Sequence, residues 1–107
     1  MEPLLFVEHA QSCSLILVVG SAPAADAILN DAGWEPNGYT WERVVRRVVR
    51  RDLPDLAPSI AFDPEADMFV AHGPDGSALR ALGTHLAALI ADRGRIAQIV
   101  AEMGAPD

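Results

Sequence analysis

Cys13 is the only cysteine in the sequence, and lysine is absent altogether. A lone cysteine excludes an intramolecular disulfide framework and suits a reducing compartment. No stretch approaches the roughly 18 consecutive apolar residues of a membrane helix. Residues 15–19 are apolar and precede Gly20-Ser21-Ala22-Pro23-Ala24, a loose imitation of a secretion signal. The segment before them carries Glu2 and Glu8 but no basic residue, and the apolar run is too short for a signal. The expectation is a cytoplasmic protein without a membrane partner. Gly-rich phosphate loops, Ser-centred elbows and His-Glu zinc helices are missing as well.

What is present is acidic. Fifteen Asp and Glu face eight basic residues, all of them Arg, for a net charge of −7. That balance opposes general affinity for nucleic acid or anionic lipid and favours a basic partner. The Arg-only basic set and abundant Ala point to GC-rich codons and a bacterial source. At 107 residues, half of them apolar, the chain reads as one domain, 1–107, with one core.

Residues 4–7 and 14–19 are rich in Val, Ile, Leu and Phe and read as an antiparallel hairpin. The second run is almost continuously apolar, which fits a central strand with little exposed face. Ser21 can cap a helix through Asn30, with Pro23 in its first turn and Gly33 as its stop. A loop at 34–39 follows, marked by Pro36 and Asn37-Gly38. Thr40 then reads as the N-cap of the clearest helix in the chain. Trp41, Val44, Val45, Val48 and Val49 share one face, and Arg43, Arg46, Arg47, Arg50 and Arg51 share the opposite one. Pro54 and Pro58 end that helix in an irregular connection.

Residues 59–62 and 68–72 read as a second hairpin joined through 63–67. A helix from Ser77, capped by Asp75 or Ser77, carries Leu79, Leu82, Leu86, Leu89 and Ile90. Gly94 interrupts it before a last helix, 95–103, with Ile96, Ile99, Val100 and Met103 on one side. The order is ββααββαα. The fold class is therefore α+β: a two-layer sandwich of an antiparallel sheet, built from two hairpins, packed against helices.

Catalytic constellations are not found, so no catalytic residue, metal ligand or cofactor is expected. His9, His72 and His85 pair with no other His or Cys at metal-ligand spacing, and Cys13 lacks a neighbouring base. Asp63, Glu65 and Asp67 have the i, i+2, i+4 spacing of a calcium loop but lack its glycine and distal glutamate, so a solvated turn around Pro64 is the simpler reading. The Arg face admits two readings. One is a solvated face balanced by acids such as Glu42, Asp52 and Asp55. The other is a small regulatory or adaptor domain contacting nucleic acid or an acidic partner through that face. Nucleic-acid modules usually add overall positive charge or interleaved aromatics, and this chain has only 6% aromatics.

Two short patterns remain: Gly38-Tyr39-Thr40-Trp41, and Phe62-Asp63-Pro64-Glu65-Ala66-Asp67-Met68-Phe69. With the early strand pair and the element order, they resemble the immunity protein 51 family of bacterial polymorphic toxin systems, over most of the chain. The resemblance implies a cytoplasmic antidote, encoded beside a secreted toxin, that blocks its cognate toxin domain by tight binding and without catalysis. Tyr39, Trp41, Phe62, and Met68 or Phe69 are expected mainly to seal the core, with Gly38 supplying a turn and Asp63-Pro64 shaping the hairpin. Candidate toxin contacts are the exposed turn residues Glu65 and Asp67, then Trp34, Glu35 and Asn37 in the preceding loop. Ala78, Ala81 and Ala88 would let two copies pack closely, although nothing in the sequence supports a homodimer.

Overall fold

The computed structural model describes residues 1–106. Strand β1, Leu5–Glu8, pairs antiparallel with β2, Cys13–Val18, in the register Leu5↔Ile16 and Glu8↔Cys13. The His9 N–H donates to the Ser12 carbonyl at 2.8 Å and closes the turn between them. Strand β3, Ala61–Phe62, and β4, Met68–Gly73, form the second antiparallel pair. The two pairs join through β2 and β4, with Leu15 opposite Ala71 and Leu17 opposite Phe69, so the sheet order is β1-β2-β4-β3. The helices are α1 Pro23–Asp31, α2 Gly38–Asp52, α3 Gly76–Ile90 and α4 Arg93–Met103. The α+β class and the order ββααββαα are those expected from the sequence.

Local differences have physical causes. Ala22, not Ser21, occupies the N-cap position of α1, because the Ser21 hydroxyl donates instead to the Val18 carbonyl. Pro23 opens that helix, where its missing N–H leaves no bond unmade. Helix α2 is capped by Asn37, not Thr40: the Asn37 Oδ1 accepts from the Thr40 N–H at 2.8 Å. Asp75 caps α3, accepting from the N–H groups of Ser77 and Ala78. The chain breaks before α4 at Ala91, and Asp92 caps the new helix, so Gly94 lies inside it and does not interrupt anything. The connection after α2 is a 3-10 segment, Pro54–Ser59, which takes Ser59 out of the strand and leaves β3 only two residues.

One side of the sheet carries Leu15, Leu17, Phe69 and Ala71, each no more than 1% exposed. They share the core with Leu79, Leu82 and Leu86 of α3 and with the α2 stripe of Trp41, Val44, Val45, Val48 and Val49. Ile96, Ile99 and Val100 of α4 complete it. Each buried Val, Leu, Ile or Phe among them contributes roughly 1.5–3 kcal/mol when removed from water. The alternate positions face the other way. There Leu5, Val7 and Val18 are 54%, 37% and 43% exposed, and Ile16, Met68 and Val70 are half-buried. Strand β2 is central in the sheet, as expected, but it is open on one side and not enclosed on both.

Candidate partner-contact surface

The acidic turn at 63–67 is tied down by its backbone. The Asp63 N–H donates to the Val70 carbonyl at 3.0 Å and the Glu65 N–H to the Met68 carbonyl at 2.8 Å. On the sheet side, the Val19 N–H donates to the Asp67 carbonyl at 3.0 Å. On the helix side, the Gly38 N–H donates to the Ala66 carbonyl at 3.3 Å. A Cβ at Gly38 would overlap the carbonyl oxygens of Glu65 and Met68. The two patterns singled out in the sequence thus pack directly against each other. Gly38 is the first residue of α2 and has no positive φ, so glycine serves close approach there and not the turn expected of it. The side chains of Asp63, Glu65 and Asp67 stay exposed on this fixed backbone.

The loop before α2 is more varied. Glu35 is exposed, and its Oε2 accepts from the Asn37 Nδ2 at 3.3 Å. Asn37 is half-buried and occupied as the α2 cap. Trp34 is not a surface residue. It is 8% exposed, its Nε1 donates to the Gly104 carbonyl at 3.1 Å, and the Arg43 guanidinium lies 5.5 Å from its ring centre. Tyr39, expected to help seal the core, is instead 55% exposed. Trp41 and Phe69 are fully buried, while Phe62, Pro64 and Met68 are half-buried. The Phe62 and Phe69 rings pack at 5.9 Å.

Asp26 was not singled out by any spacing in the sequence, yet it holds this end of the molecule together. Its Oδ1 accepts from the Trp41 Nε1 at 3.1 Å and its Oδ2 from the Gly20 N–H at 3.2 Å. The bond between α1 and α2 leaves no local signature, because partner and acceptor are 15 residues apart.

The Arg face of α2 is largely engaged within the chain. Arg46 pairs with Glu42 at 2.8 Å and lies over the Phe62 ring at 4.6 Å. Arg47 and Arg51 both reach Glu102 of α4, at 3.3 Å and 3.1 Å. With Arg43 over Trp34, Arg50 is the α2 guanidinium that has no ionic or stacking partner among the described residues. It lines a shallow cleft of about 260 Å³ with Arg46, Val49, Ala57, Ile60 and Phe62.

The His9 Nε2 is 3.3 Å from the Ser14 Oγ, and the His85 Nε2 is 2.9 Å from Asp52 Oδ2. His72 sits in β4, and Cys13 is half-buried at the start of β2. Among the described residues, no three His, Cys, Asp or Glu side chains are placed to hold a metal ion. The Asp75 carboxyl is held below its ordinary pKa, chiefly by the Ser77 side-chain hydrogen bond and then by the Ala78 N–H. It is a helix cap whose ionised form is favoured by its donors.

A small sheet-and-helix protein with an acidic turn braced on a helix start is the class these features define. The family model for immunity protein 51 matches residues 4–105, and the chain belongs to that family. Membership makes it an immunity protein and implies a toxin as its partner. No curated protein and no solved structure matches the chain. No helix of the structure, among the described residues, is long and apolar enough to cross a membrane.

Proposed function

We propose that the chain, acting as one domain in the cytoplasm, neutralises a cognate secreted bacterial toxin by binding it directly, without catalysis. The carrying observation is the family match over residues 4–105. Two further features support the reading. The net charge of −7 would steer the protein toward a basic surface. The exposed carboxylates of Glu65 and Asp67 sit on a backbone held by four hydrogen bonds to the sheet and α2, so presenting them to a partner costs little ordering entropy. Toxins that act on nucleic acids or nucleotides need basic clefts, and an acidic turn of this kind fits one; occlusion of the active site is the mode of inhibition.

The Arg face supports the adaptor alternative poorly, because its charges are mostly satisfied by Glu42, Glu102 and Asp52. The test is co-expression with the C-terminal domain of the secreted protein encoded beside this chain. Growth rescue together with a stable one-to-one complex is the expected result. A toxic domain that neither binds the chain nor is relieved by it would overturn the reading, and α2 should then be titrated with nucleic acid.

A further inference from the structure

Antiparallel sheets that cover a core on one face usually alternate, apolar inward and polar outward. This sheet does not. Across three strands the register sets Leu5 opposite Ile16, and Ile16 opposite Val70. A second pair, Val18 and Met68, stands beside that row, and Val7, Ser14 and His72 make the next one. All of these positions alternate with the core residues Leu15, Leu17, Phe69 and Ala71, so they point away from the helices. Leu5 is 54% exposed, Val18 43% and Val7 37%. Burial in the core accounts for Leu15 and Leu17 of the apolar run in β2, whereas Ile16 is only half-buried and Val18 is open to solvent.

The border of this face is acidic on the side of β3 and the turn. Asp63 continues β3 opposite Val70, to whose carbonyl its N–H donates at 3.0 Å, and Glu65 forms an antiparallel bridge with Met68. An apolar centre with a charged margin is the anatomy of a specific protein interface, where the centre excludes water and the rim steers and orients. Large contiguous apolar patches on a protein surface are characteristic of interaction sites, and this face gathers six apolar side chains, three of them exposed and three half-buried.

We propose that the helix-free face, centred on Leu5, Ile16, Val18 and Val70 and bordered by Asp63 and Glu65, is the surface on which the toxin docks. The occupant is a basic protein domain presenting an apolar patch. This inference rests on the proposed function and specifies where it takes place. Charge decides between occupants. A second copy would bring another net −7 and the same acidic margin, so face-to-face packing works against like-charge repulsion. An anionic bilayer is repelled for the same reason. A basic domain is attracted by the field and loses exposed apolar surface on contact. The acidic turn, already a candidate contact, is continuous with the face through the Glu65–Met68 bridge.

The experiment compares Leu5→Glu and Val18→Glu with Ala81→Glu on the exposed side of α3. Added negative charge should by itself favour a basic partner, so a loss of affinity reports the apolar contact. Titration calorimetry against the neighbouring toxin's C-terminal domain should show each sheet-face variant weakened at least ~30-fold and Ala81→Glu within about twofold of the parent. All three should keep the parent's circular dichroism and melt within a few degrees of it. Sheet-face variants that bind and rescue like the parent would overturn this inference while leaving the immunity reading intact. A parent chain that neither binds nor rescues would overturn both. Sedimentation showing a dimer that Val18→Glu dissolves would make a second copy the occupant and overturn the proposal in that way.

Discussion

The Gly38 N–H meets the Ala66 carbonyl at 3.3 Å, which places the first residue of α2 against the acidic turn with no side chain between them. Backbone stands on both sides of this contact, so neither side can yield by changing a rotamer. In Gly38→Ala the new methyl would overlap the Glu65 and Met68 carbonyl oxygens. The expected cost is about 3 kcal/mol, at the upper end for overpacking, read by urea unfolding. The turn must also shift, so toxin affinity should fall further than the loss of stability alone accounts for. Unchanged stability would mean that α2 does not need this approach.

Trp41 and Asp26 link α2 to α1. Trp41→Phe keeps most of the buried ring but withdraws the donor from Asp26 Oδ1. Loss of the bond and of part of the ring should together cost roughly 2 kcal/mol. The specific test is a double-mutant cycle with Asp26→Ala, in which a coupling of about 1 kcal/mol is expected between residues in direct contact. Strict additivity would show that the bond adds nothing to the packing.

The sequence was most informative where the deciding contacts are local. The stripe from Trp41 to Val49 repeats at helical spacing, and all five of its residues are buried in α2. The Asp63-Pro64 turn and the order of elements follow equally from nearby residues. Trp34 could not be placed in that way, since its indole N–H finds its acceptor at Gly104, 70 residues on. Asn37 and Thr40 are both capable caps, and the choice follows from the tertiary contact of Gly38 with Ala66, which starts the helix early. The apolar run of β2 reads the same whether two faces are buried or one is left for a partner. Only the position of the helices separates these cases. For the candidate contacts, the exposure of Glu65 and Asp67 was legible from the turn, whereas that of Tyr39 was not.

Charge reversal at the turn should act on the kinetics of association. Glu65 and Asp67 are exposed and contribute only backbone atoms to the hydrogen bonds of the turn. Glu65→Lys with Asp67→Lys should therefore leave the melting temperature nearly unchanged. It should slow association with the toxin by roughly 10-fold at low salt, with the difference shrinking as ionic strength rises. Stopped-flow measurement at two salt concentrations checks this, and equal rates at low salt would remove the turn from the encounter.

Glu102 holds two guanidiniums, Arg47 and Arg51, at the surface between α2 and α4. Exposed pairs of this kind are worth little, so Glu102→Ala should change stability by less than about 1 kcal/mol. Its informative effect lies elsewhere, because it frees positive charge on the Arg face. If that face served nucleic acid, the variant would bind it more tightly, with a steeper salt dependence. The expected result is no measurable binding by either protein in fluorescence anisotropy with a labelled oligonucleotide.

The Asp75 cap gives α3 a dependence on acid. Its carboxylate accepts from the Ser77 hydroxyl and from the N–H groups of Ser77 and Ala78, and these donors keep its folded pKa below the ordinary value. Folding therefore favours the ionised form. The resulting stabilisation is complete above the unfolded pKa, near pH 4 for an aspartate, and is lost as the pH falls through the lower folded pKa. Asp75→Asn keeps an oxygen that can cap the helix but removes the titrating group. It should melt slightly below the parent at pH 7, and the gap should close as the pH falls below about 4, where the parent's carboxyl also becomes neutral. Melting curves from pH 7 down to the acid limit of folding test this sign. A gap that widened in acid would mean that folding raises the Asp75 pKa instead of lowering it, and would overturn the sign.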